Sequence, residues 1–138
     1  MKADWEVIKR GDVMPQYAGL YVTMNRAGNI VMSRVTWEMV GAPKAVYIMW
    51  DAPNQRIGLL KTVPEKKNAY PTRVANKRTG AKLLRGHRLV KEKGIDLPHT
   101  VHFRDARIDE EGILVLDLRT AKESNRAKGH RKKVTSDE

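Results

Sequence analysis

Residues 73–93 concentrate the side chains of this chain best suited to holding a polyanion. Arg73, Lys77, Arg78, Lys82, Arg85, Arg88, Lys91 and Lys93 face a single acid, Glu92, so the segment carries a net charge of +7. An arginine fork grips a phosphate through two parallel hydrogen bonds or reads a guanine edge, whereas a lysine acts as a point charge on the backbone. His87, between Arg85 and Arg88, adds an imidazole in reach of the same phosphates. One glutamate cannot neutralise eight cations by local pairing, which predicts a binding patch over a self-compensated surface.

Other candidate chemistry is weaker. His99 and His102 lie near Asp105 and Asp109. On a strand, however, two residues three apart point to opposite faces, a poor geometry for sharing a metal. Gly80-Ala81-Lys82 lacks the spacing and the hydroxyl residue of a phosphate-binding loop, and no nucleophile has an identifiable base partner. Cysteine is absent, which excludes disulfides, zinc knuckles and thiol catalysis. The expectation is a binding protein, not an enzyme, with no cofactor and no metal.

The whole chain supports that direction. Its 138 residues carry 27 Lys and Arg against 16 Asp and Glu, a formal charge of +11. Such a field attracts polyanions, and nucleic acid is the leading partner, DNA favoured over RNA. A second basic stretch lies near the C-terminus, where Arg126, Lys128, Arg131, Lys132 and Lys133 form an arm able to add phosphate contacts. Residues 1–10 lack the apolar core of a signal peptide, and no later run is apolar enough to span a bilayer, so a cytoplasmic protein without a membrane partner is expected. Trp37 and Trp50 sit in apolar patterns that suit a core, whereas Trp5 does not declare a role.

The elements that must position these residues follow from turn and cap chemistry. Leu20–Met24 is strand-like, Asn25-Arg26-Ala27-Gly28 is a turn, and Ile30–Met32 resumes the strand. Ser33 caps a short helix ended by Gly41, its apolar face expected from Val35, Met39 and Val40. Ala45–Trp50 and Arg56–Thr62 are two β-rich runs around a Pro- and Asn-containing turn, completing a ββαββ unit.

After a charged linker the order recurs. Thr72–Ala75 and Lys82–Leu84 flank the loop Asn76–Gly80, a helix spans Gly86–Lys93 before Gly94, and a hairpin is expected from Thr100–Phe103 and Ile113–Leu118. Arg26 and Arg78 occupy matching loop positions, and Leu60-Lys61-Thr62 echoes Leu118-Arg119-Thr120. Each unit alone has too little core, so pairing two would bury both apolar faces.

The run from Asn25 to Thr62, with Gly28-Asn29-Ile30-Val31-Met32, a short helix closed by Gly41 and a hairpin turned near Asp51, resembles the SpoVT/AbrB swapped-hairpin domain. Asn76 to Thr120 resembles it more loosely, and the tandem order is similar to that of MraZ-like proteins. The resemblance implies a mainly β protein with short helices (α+β), its two ββαββ swapped-hairpin repeats forming one pseudo-dimeric barrel. It divides the chain into an extension at 1–19, a first repeat at 20–62, a linker at 63–69, a second repeat at 70–120 and a flexible basic tail at 121–138.

It further implies a DNA-binding transcriptional regulator, with contacts from the first loop and helix, here Arg26, Arg34 and Arg78. Arg73, Lys77, Lys82, Arg85, His87, Arg88 and Lys91 join them through their charge and are expected to gather into one patch. The chain would act as a monomeric pseudo-dimer or as a homodimer. An RNA-binding protein and an antitoxin-like or assembly interaction module are the alternatives that the same charge admits.

Overall fold

The computed structural model describes residues 3–6, 8 and 20–124. Among these the chain is mainly β, with eleven strands in two antiparallel sheets and two short helices. In chain order come β1 (Val22–Met24), β2 (Asn29–Met32), α1 (Arg34–Val40), β3 (Ala45–Asp51) and β4 (Arg56–Thr62). They are followed by β5 (Tyr70–Pro71), β6 (Arg73–Asn76), β7 (Ala81–Arg85), α2 (His87–Lys93) and β8 (Val101–His102). Last are β9 (Arg107–Ile108), β10 (Leu114–Asp117) and β11 (Lys122–Glu123).

One sheet runs β11-β8-β1-β2-β7-β6 and the other β5-β3-β4-β10-β9. They form two separate sheets and not the single closed barrel expected from the resemblance. The halves of the chain nevertheless meet within each sheet. In the first, β2 pairs with β7, setting Ile30 opposite Leu84, and in the second β4 pairs with β10, setting Leu59 opposite Leu114 and Ile57 opposite Leu116. All six are fully buried. At about 1.5–3 kcal/mol per buried aliphatic side chain, these seams contribute stability that neither half holds alone.

The chain also exchanges strands across its halves. The segment after α1 begins β3 by pairing with β5, while the segment after α2 forms β8 and pairs with β1. This corrects the second hairpin. Thr100–Phe103 does not fold against Ile113–Leu118: β8 lies in the first sheet, and β10 instead pairs with β9 around the Asp109–Gly112 turn, where Asp109 Oδ1 accepts from the Glu111 and Ile113 amides. The last strand, β11, takes Lys122–Glu123 out of the segment expected as tail.

Helix α1 starts and stops where the cap residues dictate. Ser33 Oγ accepts the Thr36 amide at 3.1 Å, and Gly41 ends the helix in the left-handed region. Its buried face differs from expectation, because Val35 and Met39 are exposed while Thr36 and Val40 are buried. Thr36 is polar yet fully satisfied. Its hydroxyl accepts the Tyr21 amide at 2.8 Å and donates to the Tyr21 carbonyl at 3.3 Å, clamping α1 onto the chain entering β1. A buried hydroxyl with both partners in place costs little, which is why type alone misplaces the helix face.

Trp37 and Trp50 are half-buried against the core, Trp37 Nε1 donating to the Pro43 carbonyl at 2.8 Å. Trp5 is 91% exposed.

Candidate nucleic-acid interface

The β2–β7 register decides where the basic residues go. Asn29 faces Arg85 at one end of the pair and Met32 faces Lys82 at the other. The loop before β2, with Arg26, therefore lies at the end where β7 leads into α2, and the loop before β7, with Lys77 and Arg78, lies where β2 leads into α1. At about 3.3 Å per residue the two ends stand at least ~10 Å apart. The basic segment thus divides instead of forming one patch.

At the first end the contact is backbone on backbone. The Gly86 amide donates to the Gly28 carbonyl at 3.0 Å. A methyl group at Gly28 would stand 2.7 Å from the Gly86 carbonyl oxygen and 2.8 Å from Val90 Cγ2, and Gly28 holds φ +98°, a conformation that disfavours any other residue. Asn25 shapes the loop by accepting the Asn29 amide on Oδ1 at 2.9 Å. Arg26, His87 and Arg88 are all exposed around this junction.

At the second end the contact runs through a side chain. A Cβ on Gly80, at φ +78°, would meet Arg34 Cδ at 2.8 Å, so the Arg34 stem lies on the loop that carries Lys77 and Arg78. Asn76 Oδ1 accepts the Arg78 and Thr79 amides at 2.9 and 3.2 Å and fixes the turn. Arg34 makes a 3.4 Å contact with Glu38, but both side chains are more than half exposed, and such a surface pair is worth at most about 1 kcal/mol.

The other expected site residues take three different places. Arg73 and Arg85 are exposed on the outer face of the first sheet, in register with Leu83 and Asn29. Lys91 is exposed on α2, one helical turn beyond His87 and Arg88. Lys82 turns onto Trp37, its Nζ 4.4 Å from the ring centroid, a cation–π contact that holds it against α1. Among the described residues Arg26, Arg73, Lys77, Arg78, Arg85, Arg88 and Lys91 form no ion pair. Arg126, Lys128, Arg131, Lys132 and Lys133 lie outside the described residues.

Sequence reasoning placed Asn25, Gly28, Asn76 and Gly80 in two matching loops but missed the close approach of Gly28 to Gly86 and of Gly80 to Arg34. It also missed that β8 brings His102 next to Tyr21, with ring centroids 4.6 Å apart. Burial, and then the charge of Arg104, hold the His102 imidazole below its ordinary value. No three His, Cys, Asp or Glu side chains converge on a metal-binding arrangement among the described residues.

The second sheet has the opposite character. Asp51 sits at the β3–β4 turn, where Asn54 Nδ2 at 2.9 Å and the Arg56 guanidinium at 2.7 and 2.9 Å donate to its carboxylate and hold it below the usual carboxylate range. Next to it, Met49, Gly58, Ile113 and Val115 line a shallow groove of about 170 Å³ rimmed by Asp51, Arg56 and Asp109. Its rim mixes both signs of charge. Comparisons of the chain with family models, curated proteins and solved structures found no match. No helix among the described residues is long and apolar enough to cross a membrane.

Proposed function

We infer that the chain binds nucleic acid, duplex DNA first, and serves as an AbrB-like transcriptional regulator that needs no cofactor. The observation that carries this reading is the pair of loop–helix junctions at opposite ends of β2–β7, each presenting exposed basic residues. Arg26, His87 and Arg88 form one set, and Arg34, Lys77 and Arg78 the other. Duplex DNA carries one phosphate charge per about 1.7 Å of axis, so two clusters at least ~10 Å apart face a continuous row of phosphates. Phosphate contacts of this kind set register on the duplex, and an arginine that reaches a groove supplies base preference.

The exchange of strands between the two halves, β3 with β5 and β8 with β1, supports reading the chain as two swapped repeats. So do the β2–β7 and β4–β10 seams. In that reading a single chain supplies both halves of the binding surface and acts as a monomer.

An anisotropy titration tests it, with a labelled duplex as probe and structured RNA of equal phosphate content as competitor. The expected result is a bound duplex that the RNA displaces poorly. Efficient displacement by RNA would move the assignment to an RNA-binding protein, and no binding to either would contradict it.

A further inference from the structure

The outer face of the first sheet holds a second arrangement, distinct from the loop junctions. Val22 and Met24 are buried, so alternation turns Tyr21 and Thr23 to the opposite, outer side. The pairings carry one row across the sheet: Lys122 opposite His102, His102 opposite Thr23, Thr23 opposite Val31, Val31 opposite Leu83, and Leu83 opposite Arg73. No acid stands in that row. Tyr21, 37% exposed, tilts 37° against the His102 ring at 4.6 Å.

Tyr21 packs its ring against the partly buried His102 ring and keeps part of its own surface exposed, and with Lys122 on the neighbouring strand and the Arg104 charge close to His102 it makes a small aromatic surface edged by cations. Aromatic rings of this kind accept any nucleobase by its flat face, which requires the base to be unpaired. A duplex cannot use them, because its bases are stacked on one another.

We propose that Tyr21 and His102 form a stacking site for an unpaired nucleobase of single-stranded nucleic acid, with Lys122 and Arg104 holding the adjoining phosphates. The site deepens the nucleic-acid reading but occupies a different surface from the loop junctions, so the two fail separately. The tyrosine side chain is also separable from the fold at this point, since the contacts with Thr36 run through the Tyr21 backbone.

The test is binding of the full chain to a short single strand and, in parallel, to a duplex, for wild type, Tyr21→Ala, Tyr21→Phe and His102→Ala, with thermal unfolding as the folding control. Tyr21→Ala is expected to weaken single-strand binding about tenfold, Tyr21→Phe to preserve it, and both to leave duplex binding within about twofold. An oligonucleotide of the same phosphates but lacking bases should bind the wild type as weakly as the intact strand binds Tyr21→Ala. Equal weakening of both nucleic acids, or no weakening of either, overturns the stacking site while the duplex reading stands. A wild type that binds neither overturns both.

Discussion

The two loop–helix junctions carry similar cations but are built differently. At the Gly28 end two backbones touch, with the Gly86 amide on the Gly28 carbonyl at 3.0 Å and no side chain between them. At the Gly80 end the loop rests on the methylene stem of Arg34, which is itself exposed. A backbone contact cannot yield without moving α2 or β2, whereas an arginine stem can swing aside. The backbones that carry Arg26, His87 and Arg88 are therefore tied to one another directly, while those that carry Lys77 and Arg78 depend on the Asn76 turn and on the Arg34 stem.

The largest expected effect separates them directly. Gly28→Ala forces both a strained φ and an overlap with backbone, and should cost about 3 kcal/mol or more, enough to lower the thermal midpoint by over ten degrees or abolish folding. Gly80→Ala meets only the Arg34 stem and should cost about 1–2 kcal/mol. Equal losses in parallel melting experiments would dissolve the distinction.

Between these two lies Thr36→Val. It keeps the volume of the side chain but orphans the Tyr21 amide, and should cost about 1–3 kcal/mol in urea unfolding. An unchanged midpoint would show that the clamp on β1 is not needed.

The smallest effect is on pH dependence. The His102 pKa is depressed from its ordinary 6.5, first by burial and then by Arg104, so the unfolded chain takes up the proton before the folded one. Stability should be full above about pH 6.5, decline as pH falls from there to the depressed native value, and then level off. His102→Gln should flatten that decline when unfolding is followed between pH 7.5 and 5.

Much of the first half was legible in residue chemistry. Ser33 and Gly41 set the ends of α1, the Pro- and Asn-containing turn before Arg56 set the β3–β4 hairpin, and both lie where local signals act over a few residues. The rest depended on distant pairing. Val101–His102 is only two residues long and finds its partner in β1, nearly eighty positions earlier, so no local pattern could separate it from a hairpin arm. The apolar types of Val35 and Met39 pointed to the core, yet the buried place went to Thr36 because a backbone partner awaited its hydroxyl.

The candidate site divides in the same way. Its residue types were visible as a charge run, but their division between two ends comes from the β2–β7 register, which sets Asn29 against Arg85 and Met32 against Lys82.

The central claim is that both ends engage the same polyanion, and the salt dependence of duplex binding tests it most directly. Affinity should be measured across a salt series for wild type, for Arg26→Ala with Arg88→Ala, for Lys77→Ala with Arg78→Ala, and for all four together. Each pair should flatten the slope of log affinity against log salt by about 1.8, and the four together by about 3.6. A slope unchanged by either pair, or a wild-type slope near zero, would contradict the account.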